Sequence, residues 1–190
     1  MSSGQPQVSL TAYNEGKGYP FVADSPDHWY CFYNISSTSF QNKFHQAMDY
    51  LNDETDMSDI YTTNCGLSTD VIFIEDNDLD AFGRADCFRF VSGDICDQFW
   101  VQINPTWIAS WLAYFEALDP GDDFAPYNIH LIKTIRHEAG HTTGLSHHSR
   151  NDTPLQYSAM RSGLVEQLSY YNFVWAVHLP HHIDHIDEEY

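Results

Sequence analysis

His137 and His141 are four residues apart, Glu138 follows the first of them, and a further histidine stands at His147. On a helix, positions i and i+4 share a face one turn apart. Two imidazoles so placed can each bring a nitrogen to about 2 Å from one zinc ion. Gly144 suits a left-handed exit from the helix, which a residue with a β-carbon resists. The chain can then double back and offer His147 as a third ligand. Three protein ligands leave a fourth position for water, the pattern of catalytic rather than structural zinc. Glu138 is not needed as a ligand and is the candidate general base. Zinc lowers the pKa of water to about 7, and attack on a carbonyl would follow.

The eleven histidines make chance matches a real alternative. A bare His-Glu-x-x-His would arise in a few per cent of chains of this composition. The pattern with Gly144 and His147 included would arise about once in ten thousand, so those two residues discriminate. His148 adjoins the third candidate ligand, but the spacing selects His147.

These side chains need elements to hold them. Asn128 is a fair N-cap for the motif helix, which carries Leu131, Ile132, Ile135 and Ala139 on an apolar face. Residues 28–34 read as an aromatic strand and Ser58 to Thr62 as a short one. Between them, Thr38 and Gln41 have capping-box spacing, and Phe40, Phe44, Ala47, Met48 and Leu51 share one helical face. Asp70 to Glu75 is apolar on both faces and reads as a central strand. Phe99 to Ile103 alternates, which suggests an edge strand. Pro105 closes it, and Trp107, Ile108, Trp111, Leu112, Phe115 and Leu118 follow at helical spacing. Leu164, Leu168, Tyr171 and Trp175 mark a last helix before Pro180. Residues 1–27 read as an irregular arm. Strands mixed with helices, then mostly helix, indicate an α/β layered architecture.

The chain has 190 residues and a net charge of −19, which argues against nucleic acid or anionic lipid as a partner. No apolar run is long enough to span a membrane. The acidic runs, Asp76, Asp78, Asp80 and Asp86, then Asp119, Asp122 and Asp123, read as a solvated surface. Calcium is an open alternative there, although neither run fits the twelve-residue calcium-loop pattern. Cys31, Cys65, Cys87 and Cys96 form no Cys-x-x-Cys pair, so a zinc ribbon is excluded. A turn at Ser92-Gly93-Asp94 could close a hairpin that joins Cys87 to Cys96, which leaves Cys31 with Cys65. Four free thiols are the alternative. Disulfides imply an oxidising compartment, and a secreted protein whose signal peptide has been removed is expected. His181 and His185 have metal-ligand spacing too, but Ile183 and Ile186 suit a packed terminal turn.

The run from His137 to His147 resembles the metzincin zinc-protease signature, HExxHxxGxxH with a downstream Met-turn. Tyr157-Ser158-Ala159-Met160-Arg161-Ser162-Gly163 fits that turn, in which the methionine packs under the histidines and is not a ligand. The short chain and the Cys87–Cys96 spacing look like small secreted bacterial members. The resemblance implies an α/β fold of the α+β type: a twisted mixed sheet with an antiparallel edge strand, an active-site helix and a smaller, mostly helical C-terminal subdomain. It implies one catalytic domain over 1–190, divided at about 1–145 and 146–190. Thr38–Asp53 would be its long helix, Asp97–Asn104 its substrate-binding edge strand, and Ser162 to Val177 its C-terminal helix. One catalytic zinc, protein or peptide substrates and a monomer are expected.

Some positions depart from the family. Several groups carry a tyrosine two residues after the methionine, where this chain has Ser162, and Tyr157 need not replace it. No cysteine precedes Cys31 to cap the zinc. Arg161 and Leu164 are candidates to line the specificity pocket. Two other functions compete with an endopeptidase: an inactive binding domain of the same fold, and a zinc hydrolase acting on a non-peptide bond. Glu138 speaks against the first, since a dead relative has no need of the base.

Overall fold

The computed structural model describes residues 22–118, 126–145 and 160. Six strands, β1 (Val22–Ala23), β2 (Asp27–Tyr33), β3 (Ser58–Tyr61), β4 (Val71–Glu75), β5 (Gly83–Ser92) and β6 (Ile95–Ile103), form one sheet. Three helices are described: α1 (Thr38–Glu54), α2 (Pro105–Leu118) and α3 (Tyr127–Thr142). Strands β3, β2, β4 and β6 lie side by side and parallel, β1 pairs in parallel with the first residues of β6, and β5 is antiparallel to β6. The fold is thus a mixed sheet with an antiparallel edge pair, plus helices. The boundary proposed near 145, the C-terminal subdomain, its helix and His181 and His185 lie outside the described residues, as do Asp119, Asp122 and Asp123.

The position of one strand corrects the sequence reading. Phe99 to Ile103 is not an edge: Phe99, Val101 and Ile103 pair with β4 on one side and with β5 on the other. Alternation reports which face of a sheet is buried, not whether a strand has two neighbours. Phe99, Val101 and Ile103 are fully buried, whereas Trp100 and Gln102 are half-buried on the opposite face. Among the described residues the antiparallel edge is β5 (Gly83–Ser92), not the strand within Asp97–Asn104. β4, expected to be central, does lie between β2 and β6.

Helix α1 buries Phe40, Phe44, Ala47, Met48 and Leu51, the face expected from spacing. Phe44 meets Phe73 of β4 with ring centroids 4.6 Å apart, within the range where aromatic pairs add to simple burial. Its cap is one residue earlier than expected. The Ser37 hydroxyl accepts from the Phe40 N–H, while Gln41 reaches back to the Ile35 carbonyl instead of closing a capping box on Thr38. At α3 the cap position is held by Pro126 rather than Asn128, with no side-chain hydrogen bond. Pro105 opens α2 rather than merely ending β6, because the Asn104 side chain caps the Trp107 N–H at 2.8 Å.

Both expected disulfides are formed, Cys31–Cys65 and Cys87–Cys96. The second crosses the β5–β6 hairpin, whose turn contains Gly93 at φ 55°, a left-handed conformation that favours glycine. Among the described residues no helix is long and apolar enough to cross a membrane.

Toward the turn end of this hairpin, beside Arg89 and Asp97, the acids are crowded. Asp70 accepts the Trp29 N–H at 2.6 Å, yet burial, aided by Asp24 and Asp97, pushes its pKa up to about 6. Arg89 opposes that shift and pairs with Asp97. A carboxyl with a raised folded pKa binds its proton more tightly when folded, so its ionisation weakens the fold as pH rises from about 4 to 6. Asp70→Asn keeps an acceptor for Trp29 and cannot ionise. Urea unfolding should show the variant more stable than wild type at pH 7, with a smaller loss of stability between pH 4 and 6. Equal pH slopes for the two proteins would refute the assignment.

Candidate metal centre

Helix α3 is the least exposed element described: every residue from His130 to Thr142 is buried, although six of them are His, Lys, Arg or Glu. Polar side chains tolerate such burial only when surrounded by partners. α1 flanks the helix, with the Arg136 guanidinium stacked 3.6 Å over the Tyr50 ring. α2, β5 and β6 also pack against it. Leu131, Ile135 and Ala139 enter the same apolar cluster as Phe44 and Phe73.

The C-terminal end of α3 closes as the sequence implies. Gly144 has φ 80°, its N–H donates to the His141 carbonyl, and the Leu145 N–H donates to the Gly140 carbonyl. This pair of bonds is the Schellman arrangement, which requires the left-handed residue that glycine supplies. Leu145 is thereby folded back under the helix, and its carbonyl lies 2.7 Å from His141 Nδ1. A carbonyl can only accept, so Nδ1 carries a proton, and in the neutral ring the lone pair is then on Nε2. The His141 and His137 rings sit 4.8 Å apart, nearly perpendicular. His137, Glu138 and His141 are thus brought together on one buried helix. His147 and His148 lie outside the described residues, and among those described no group of three His, Cys, Asp or Glu is placed to hold a metal ion.

Glu138 leaves the helix toward the first residues of β5. Its carboxylate accepts the Ala85 N–H, and burial, reinforced by Asp86, pushes its pKa up to about 8 against the pull of that hydrogen bond and of Arg84. A cation nearby would act in the opposite sense, since positive charge favours the ionised acid. The contact with β5 is close because residue 83 is glycine: a β-carbon there would fall 2.6 Å from Glu138 Cγ.

Met160, the expected Met-turn residue, is fully buried and belongs to the apolar cluster that holds Ile135, Ala139 and Leu145. The rest of that turn, with Tyr157, Arg161 and Ser162, and also Leu164, lies outside the described residues. Of the acids considered for calcium, Asp76 accepts from the Asp78 N–H and the Gln102 side chain, and Asp80 pairs with Arg84.

Sequence reasoning missed Gly83 and Ala85 altogether. The available signal was an isolated glycine entering a strand, which marks a close approach of another group. It also missed Asn104. That side chain, besides capping α2, donates to the carbonyls of Asn77 and Leu79, and the Asn104 N–H donates to the Phe82 carbonyl. These bonds fix the loop that delivers Gly83 to Glu138.

No protein-family model matches the chain, and no curated protein does. Among solved structures it is similar to archaemetzincin from Methanopyrus kandleri, with 14% identity and a TM-score of 0.44 over 87% of this chain and 96% of that one. A likeness that loose speaks neither to mechanism nor to substrate, which rest on the chain's own residues.

Proposed function

We propose that the chain is a zinc-dependent endopeptidase of the metzincin type, with His137, His141 and His147 as metal ligands and Glu138 as general base. The observation that carries this reading is the pairing of His141 Nδ1 with the Leu145 carbonyl. It selects the tautomer that, in the neutral ring, carries the lone pair on Nε2, the form a metal ligand must adopt, with the His137 ring 4.8 Å away. Zinc held there would supply Lewis-acid activation of water and of a peptide carbonyl. The chain's own part is proton handling and exclusion of solvent. Glu138, fixed by the Ala85 N–H, takes a proton from the attacking water and returns it to the leaving amine. Among the described residues β5 pairs only with β6, and an edge of that kind offers backbone groups to an extended peptide. Two disulfides fit export to an oxidising compartment.

Metal content by mass spectrometry, read beside cleavage of a fluorogenic peptide, tests the proposal. One zinc per chain is expected, with activity lost to a chelator and restored by zinc. Peptide cleavage that survives complete removal of zinc would refute it.

A further inference from the structure

We propose that Gly83 is a positioning residue for Glu138: its bare α-carbon is the space that holds the glutamate side chain against β5. The inference deepens the general-base reading and rests on it. A β-carbon on residue 83 would stand 2.6 Å from Glu138 Cγ, 2.7 Å from Oε1 and 3.0 Å from Cδ. Carbon atoms meet at about 3.5–4.0 Å, so something must move. Neither backbone can yield readily. Gly83 is in register with Ile103 of β6, and the Asn104 N–H holds the carbonyl of Phe82 beside it. Glu138 sits in a helix buried on every side. The remaining freedom is rotation of the Glu138 side chain, which takes its carboxylate away from the Ala85 N–H. A misplacement of about 1 Å can cost about 10²-fold in rate, so a single methyl group on β5 reaches the chemistry without touching substrate.

The test is a cycle of four full-length proteins: wild type, Gly83→Ala, Glu138→Ala and the double variant. Each is assayed for zinc content, thermal midpoint, kcat and KM. Gly83→Ala is expected to lower kcat by about 10²-fold, with KM within about twofold and zinc content unchanged. Glu138→Ala removes all three clashing atoms, so Gly83→Ala should lower the thermal midpoint in the wild-type background and not in the Glu138→Ala background. If Gly83→Ala alone does not fold, a folded double variant supports the contact and an unfolded one overturns it. A wild-type kcat in Gly83→Ala, or an equal loss of midpoint in both backgrounds, also overturns the proposal. The thermal cycle reads the contact whether or not the protein cleaves peptides. Absence of zinc and activity in wild type would therefore defeat the protease reading alone.

Discussion

Glu138→Ala is expected to keep its zinc and its fold and to lose about 10²–10⁴-fold in kcat, the usual contribution of a positioned acid–base group. The metal should stay because the proposed ligands are the histidines on either side, and the His141 ring is oriented by Leu145 rather than by Glu138. The fold should stay because the variant only removes atoms from a contact with Gly83 and Ala85. Kinetics with a peptide substrate, alongside zinc content and circular dichroism, would measure this. Turnover at the wild-type rate would eliminate Glu138 as the base and with it the mechanism proposed here.

His141→Ala should act on the metal first. Loss of a group that merely orients a ligand costs about 10–100-fold in affinity, so loss of the ligand itself should exceed about 100-fold. The same change deletes the bond from Nδ1 to the Leu145 carbonyl, and the metal-free protein should lose about 1 kcal/mol of stability as well. Competition titration with a zinc chelator and urea unfolding of the apoprotein separate the two effects. His147→Ala should weaken zinc as His141→Ala does, and His148→Ala much less. Equal losses at 147 and 148 would show that the spacing chose the wrong residue.

The parts of this molecule that are periodic were legible in the sequence. The buried face of α1 follows from its five apolar positions, and β4 from its unbroken apolar run. Gly144 was legible because a left-handed exit leaves few choices of residue. Neighbour relations were not. Phe99, Val101 and Ile103 alternate in the same way whether one strand or two flank them, so the edge was assigned to β6 instead of β5. Caps slipped by one or two residues because several side chains near a helix start can serve, as Ser37 and Thr38 show. In the candidate site, His137, Glu138 and His141 were found through helical spacing, which is local. Gly83 and Ala85 were missed because their meeting with Glu138 spans more than fifty residues and leaves no periodic trace.

The hairpin disulfide gives that long-range meeting a safeguard. β5 carries register irregularities beyond Cys87, where Arg89, Phe90 and Ser92 shift against β6. Strands with such irregularities have neighbouring alignments to slip into, and a slip of one residue turns every side chain to the opposite face. In β5 a slip would bring Arg84 to the place of Gly83 and close the space beside Glu138. The covalent tie from Cys87 to Cys96 restrains it. A bond remote from the chemistry would thus act as a proofreading device, favouring the alignment in which the glutamate has room.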